Sequence, residues 1–394
     1  MRILIINHFP LEGSGSGIYT KNLAKEMSHL GHDVKVIYPD HRVVKYADFE
    51  TRVILFNDGC NEFHELNYNF PCFTSHPKSN NTFYNLNENQ IKQYIDVFEK
   101  ATFEEVEKFK PDIIHAQHLW ITPYIASKTK IPYVVTAHGT DLKGFVKDKR
   151  YHPYALEGAK KAGKIITISK QVDREVSELY GVTEDKKQIV MNGYDEELFL
   201  PIEFDRGELL KEFDINMNFD KIVSFAGKLT HFKGVDILLK AAKIYEKDLD
   251  ESVATIIAGN GELYEELNEL RSELKLKNIY FLGHVSQEEL VKLYNIADVS
   301  VVPSRTEPFG LVAIEALACA TPVVGTNQGG LPDFITKDVG TLVAVGDDME
   351  LADAIIEELT RSDREKRSEF CHKYAKENFS WKHSIGEVED LYRA

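Results

Sequence analysis

The chain has 394 residues, 43% of them hydrophobic and 28% charged, with 47 basic against 63 acidic side chains. That length exceeds one ordinary hydrophobic core and fits two domains, and the aliphatic and aromatic content excludes a disordered chain. The net charge of −16 opposes binding to nucleic acid, and the four cysteines (Cys60, Cys72, Cys319, Cys371) are too sparse for a disulfide scaffold and point to a reducing compartment.

The opening MRILIINHFP has a four-residue apolar run after Arg2 and no secretory hydrophobic region. No stretch approaches the ~20 apolar residues of a membrane span. A cytosolic protein is expected. The charge is uneven: residues 1–200 carry 25 basic and 27 acidic side chains, residues 201–394 carry 22 and 36. The nearly neutral first half is therefore the part able to approach an anionic membrane surface, although solubility alone also accounts for the imbalance.

Strand and helix alternate along the chain. RILII (2–6) reads as a buried strand, residues 18–32 as an amphipathic helix closed by Gly31, and DVKVIYP (33–39) as the next strand. Further strands are expected at 52–56, 112–116, 133–138 and 164–169, with helices over 88–109 and 170–180. After Pro201 the pattern restarts. Strands are expected at 221–227, 252–259, 279–283, 299–304 and 321–326, and helices at 234–247, 262–274, 286–296, 310–319 and 349–361. Short apolar strands joined by helices imply parallel sheets covered on both faces. The expected fold class is α/β, with two Rossmann-like doubly wound domains facing a cleft. The first spans residues 1–200 and the second 201–378, with a linker near 195–220. An amphipathic segment over 379–394 is expected to pack back on the first domain.

In open parallel sheets, ligands bind in the loops at the carboxyl ends of strands. One such loop lies within SRTEPFGLVAIEALACATPVV (304–324). Gly310 permits a tight turn, and Leu311 begins a helix whose first amides lack partners and favour an anion. Glu307 stands before that helix and Glu315 within it. They read either as a helix-stabilising acid plus an exposed glutamate, or as two acceptors for hydroxyls on either side of a phosphate. A second loop, FAGKLTHFKG (225–234), places Lys228 and Lys233 at another helix start, where the helix dipole disfavours cations unless an anion joins them. A third, PLEGSGSGIYT (10–20), has glycines at 13, 15 and 17 but departs from the dinucleotide-binding spacing. TAHGTDLKGF (136–145) ends a strand on His138, which can bond a hydroxyl or phosphate or simply cap the sheet. Gly259 and Gly261 precede another helix, a close approach for a base or ribose, and Gly283, His284 and Val285 form an ordinary loop after a strand. Cys60/His64 and Cys72/His76 form two Cys-x3-His pairs. They read as a polar surface loop in preference to a zinc site, which usually has tighter Cys-x2-Cys knuckles. No Asp-x-Asp pair is positioned to hold a metal on a nucleotide, and there is no nucleophilic Ser-His-Asp or Cys-His order.

These motifs together resemble the retaining glycosyltransferases of the GT-B fold, in particular family 4. The resemblance runs nearly end to end, through PDIIHAQH (111–118), TAHGTD (136–141), IVMNGYDEELFLP (189–201), GKLTHFKGVDILL (227–239), AGNGEL (258–263), the long stretch 281–335 with its Glu-x7-Glu box, and the terminal FSW. It implies a nucleotide-sugar donor on the second domain and an acceptor on the first. It implies that Lys228 and Lys233 hold the diphosphate, that amides around Phe309, Gly310 and Leu311 meet the phosphates, that Glu315 binds the ribose hydroxyls and Glu307 the transferred sugar. It implies that His138 lies beside the reacting sugar and Gly15 near the diphosphate, with no bound metal and no cofactor. Within the donor site, Gly259 and Val285 are the expected approaches to base or ribose. Two departures stand out. The family more often has arginine where Lys228 stands, which forfeits bidentate phosphate contact, and its paired glycines appear here as Ser14-Gly15. A non-catalytic nucleotide-sugar sensor on the same scaffold is the alternative reading. A nicotinamide-dependent dehydrogenase lacks its glycine fingerprint.

Overall fold

The computed structural model describes residues 1–74 and 76–393. Contacts divide the chain into two compact units. The first is Met1–Asn192 with the chain from Ser384 onward, and the second is Gly193–His383.

The first unit is built on a parallel sheet of β1 (Arg2–Ile6), β2 (Asp33–Asp40), β3 (Glu50–Leu55), β4 (Ile113–Gln117), β5 (Tyr133–Ala137), β6 (Lys164–Thr167) and β7 (Lys187–Ile189). Their spatial order is β3-β2-β1-β4-β5-β6-β7. The central strands β4 and β5 are buried along their whole length, as a sheet covered on both faces requires. The second unit repeats the plan with β8 (Lys221–Ala226), β9 (Val253–Ala258), β10 (Ile279–Gly283), β11 (Val299–Val302), β12 (Val323–Thr326) and β13 (Gly340–Val343), in the order β10-β9-β8-β11-β12-β13. All pairings are parallel. In each sheet the strand order reverses beside the first strand, between β1 and β4 and between β8 and β11. Those are the two points where a doubly wound sheet opens a crevice at its carboxyl edge.

Local sequence explains most elements. The helix Glu88–Phe109 starts on a capping box in which Asn87 and Gln90 satisfy each other's backbone amides. The helix Lys170–Tyr180 is capped by Ser169 and stopped by Gly181 in the left-handed region, φ 65°. Several elements lay outside the sequence expectation, among them the helix Arg206–Glu212, which falls in the expected linker. Strands β7 and β13 are short sheet edges with little apolar signal. The helix Arg364–Phe379 buries only Arg367, Cys371, Ala375 and Phe379, a stripe every fourth residue on an otherwise charged rod.

The segment expected as a polar surface loop is partly interior. Phe70, Cys72, Phe73, His76 and Ser79 are buried, and His76 Nε2 lies 3.0 Å from the Glu12 carbonyl oxygen. Its aromatic residues carry the burial that its asparagines hid. Cys60 is exposed while Cys72 is buried. Among the described residues no group of three or more His, Cys, Asp or Glu is placed to hold a metal ion, and no helix is long and apolar enough to cross a membrane. The last helix, Trp381–Arg393, runs across the division of the chain. Within the first unit its Ile385, Val388 and Tyr392 are buried, and Tyr392 Oη meets His115 Nδ1 at 2.6 Å.

Candidate functional site

In the second unit the crevice between β8 and β11 is built from two loops locked together. Gly234 sits at φ 68°, and a Cβ there would come 2.0 Å from the Pro303 carbonyl oxygen, so only glycine allows the approach. The Phe232 carbonyl accepts from the Arg305 amide at 2.8 Å. The Arg305 guanidinium in turn grips Asp236 with two bonds, at 2.8 and 2.7 Å, the planar fork geometry that fixes orientation. Arg305 and Asp236 were not singled out from the sequence, because their pairing spans 69 residues.

This frame holds Lys233 and Glu307. Lys233 ends a 3-10 turn, His231–Lys233, and its Nζ lies 2.6 Å from Glu307 Oε2. The Ser304 hydroxyl donates to the same oxygen at 3.0 Å. Glu307 is 6% exposed. Its backbone is clamped from the other side, with its carbonyl accepting from the Gly330 amide at 3.0 Å. Gly329, at φ 66°, is so close that a Cβ would stand 1.7 Å from that carbonyl oxygen. Phe309, buried against Phe334 at 5.6 Å between ring centroids, completes the loop.

The helix Leu311–Ala318 follows. Its cap is Gly310, φ 103°, with no side-chain hydrogen bond, and no acidic residue stands in its first turn. The Ala313 amide bonds the Gly310 carbonyl oxygen at 2.9 Å, which leaves the first two amides, of Leu311 and Val312, to an anion. Glu315, inside this helix, is 7% exposed. Burial first, then the charge of Asp195, pushes its carboxyl up to about 8. Glu315 is thus a neutral acid at pH 7, able to donate as well as accept.

Lys228 lies exposed at the end of β8. Gly259 follows β9, and a Cβ on it would lie 1.8 Å from the Gly227 carbonyl oxygen, so it brings the β9 loop against the lysine loop. Val285 follows β10 at the sheet edge, half-buried.

Gly15 and His138 belong to the first unit. Gly15 opens the helix Gly15–His29 behind a Ser14 cap, with nothing within 4 Å of where a Cβ would stand. His138 follows β5, 8% exposed. Its Nε2 lies 2.8 Å from Gln117 Oε1. Asp141 straps it in place, its carboxylate accepting from the amides of Leu119 at 2.7 Å and His138 at 3.2 Å. Burial holds the His138 imidazolium down to about 3 and pushes Asp141 up to about 6. His138 is thus neutral at any physiological pH and cannot serve as a strong base. Beneath it lies His118 at φ 69°, its ring 4.7 Å from that of His138.

Two family models match the chain: "Glycosyltransferase Family 4" over residues 13–198 and "Glycosyl transferases group 1" over residues 208–378. A D-inositol 3-phosphate glycosyltransferase of Corynebacterium aurimucosum is 28% identical, covering 100% of this chain and 96% of its own. Among solved structures, sucrose-phosphate synthase from Thermosynechococcus elongatus superposes with a TM-score of 0.78 at 21% identity, covering 100% of this chain and 98% of that one. Anabaena Alr3699/HepE in complex with UDP-glucose does so with 0.74 at 19% identity, covering 99% and 98%. The paired doubly wound sheets and the lysine–glutamate loops thus stand on a GT-B scaffold, and the chain belongs to the group 1, family 4 glycosyltransferases.

Proposed function

We propose that the protein is a metal-independent retaining hexosyltransferase that uses a nucleotide-diphosphate sugar, a UDP-sugar first, and a hydroxyl on a glycan, a lipid-linked glycan or a small metabolite. The observation that carries this reading is the Lys233–Glu307 pair beside the uncapped helix at Gly310. A diphosphate entering there meets the Lys233 ammonium and the helix amides, while Glu307 is released to accept from sugar hydroxyls. In this scheme Glu315, four residues into the helix, bonds the ribose hydroxyls. As the anomeric carbon–oxygen bond breaks, charge grows on the departing phosphate, and fixed cationic and amide groups stabilise it. The new bond forms from the acceptor oxygen to the same face of the anomeric carbon, and the acceptor proton passes to the departing phosphate oxygen. A neutral His138 suits this scheme, because it leaves that proton transfer to the phosphate. Uridine is the preferred base because a protein of the same fold is known bound to UDP-glucose. The near-neutral charge of residues 1–200 favours the first unit as the side that meets an acceptor at an anionic surface.

A thermal-shift screen of UDP-, GDP- and ADP-sugars, followed by transfer of a labelled sugar from the hit, tests the proposal. A UDP-sugar should raise the melting temperature of the wild type, and Lys233→Ala should abolish the shift. A shift that survives Lys233→Ala, or no shift with any donor, overturns the site.

A further inference from the structure

Gln117 ends β4 and faces Thr136 of β5 in the parallel register. It is 0% exposed. Its carboxamide oxygen lies 2.8 Å from His138 Nε2. With the carboxamide oxygen turned to the ring, that oxygen can only accept, and this orientation puts the ring proton on Nε2. A neutral imidazole has one N–H, and its other nitrogen, Nδ1, is then a bare lone pair. Nδ1 has no protein partner among the described residues, yet it is not among the unpartnered atoms sealed from solvent. The groups packed around the ring do not compete for it as charges: His118 and Tyr19 face it edge-on or tilted, at 4.7 and 5.1 Å between ring centroids, and Asp141 spends its oxygens on backbone amides.

We propose that Gln117 is a positioning residue: by accepting a hydrogen bond from the Nε2–H of His138 it fixes Nδ1 as an open acceptor for a substrate hydroxyl. This rests on the glycosyltransferase reading above and gives His138 a defined face within it. A hydroxyl bonded to Nδ1 donates its hydrogen there, so the histidine selects and orients a hydroxyl without removing its proton. The carboxamide nitrogen of Gln117 is sealed and unpartnered. An unpaired buried donor costs ~1–3 kcal/mol, and the bond to His138 is what the glutamine gains in return. Leucine would fill the same space without that cost, so packing does not explain a glutamine here.

Ring ¹⁵N spectra of ¹⁵N-histidine-labelled wild-type protein, with the His138 signals assigned by their loss in His138→Asn, test the inference. His138 should appear as the Nε2–H tautomer. An Nδ1–H tautomer overturns the proposal whether or not any variant folds. Gln117→Leu should shift the tautomer balance and lower kcat about tenfold, with donor KM changed less than twofold. Gln117→Glu keeps an acceptor and should retain Nε2–H and most of the wild-type rate. Gln117→Leu with wild-type tautomer and rate also overturns it. The two readings fail separately. Absence of transfer from every nucleotide sugar would remove the activity, while an Nε2–H ring that depends on Gln117 would still support the pair.

Discussion

Lys233 Nζ and Glu307 Oε2 meet at 2.6 Å across 74 residues of chain. The pair joins the loops after β8 and β11, the strands flanking the reversal of strand order. Both residues therefore have a structural partner before any substrate arrives, and a substitution at either acts on stability and on rate together. Lys233→Ala leaves a buried carboxylate with the Ser304 hydroxyl and no cation, an expected loss of ~1–3 kcal/mol. Glu307→Gln removes the charge and should cost less. The double variant should be closer in stability to Glu307→Gln than the sum of the two losses predicts, a coupling that denaturant titration of all four proteins measures. Sugar transfer should fall ~10²-fold or more in each single variant, since each removes charge aimed at donor or leaving group. Wild-type turnover in either would refute the assignment.

Glu315 makes the protein's stability fall as pH rises. Its folded-state value is about 8, against 4.5 for the ordinary side chain. Below about 4.5 both folded and unfolded chains hold the proton. Between about 4.5 and 8 the unfolded chain has released it and the folded chain has not, so stability drops through this window and levels off above it. Glu315→Gln cannot titrate. The variant should therefore gain on the wild type between pH 5 and pH 8, by an amount on the order of a few kcal/mol. Urea denaturation at both pH values measures the difference. An equal gap at pH 5 and pH 8 would show that Glu315 is ionised in the folded state.

Much of this site was legible before the structure because it is written in local order. Glycine and lysine directly after an apolar strand mark a loop at a sheet's carboxyl edge, and Gly310 before LVAIEALA marks a bare helix start. What the sequence could not show is which side chains meet. The Arg305–Asp236 fork, the Lys233–Glu307 pair and the Gln117–His138 contact each depend on strand order, which brings together residues from separate crossovers. The protonation of Glu315 was not legible for a related reason. Its ionisation depends on burial beside Asp195, and no spacing along the helix encodes burial. The short edges β7 and β13 escaped notice because an edge strand has one neighbour and needs little apolar sequence to hold it.

The donor site needs no divalent cation on this reading, since Lys233 and the helix amides at Gly310 supply the positive potential. Transfer assays run in excess EDTA should keep most of their rate, and added Mg²⁺ or Mn²⁺ should change it less than twofold. Complete loss with EDTA, restored by one metal, would mean that a metal carries the phosphate charge instead.

Gly329 tests whether the Glu307 loop must be clamped in order to work. Its φ of 66° disfavours any side chain, and a Cβ would lie 1.7 Å from the Glu307 carbonyl oxygen. Gly31 has a comparable φ of 87° but nothing within 4 Å. Gly31→Ala thus reports the backbone cost alone, ~1–2 kcal/mol, with transfer unchanged. Gly329→Ala carries that cost and also drives the Glu307 loop away from Gly330. It should lose more stability than Gly31→Ala and at least tenfold in rate, because Glu307 and the amides of Gly310 and Leu311 move with the loop. Melting temperatures and kcat/KM for the two variants decide the matter. Equal losses in both would mean that the loop relaxes freely and that its fixed position contributes nothing to transfer.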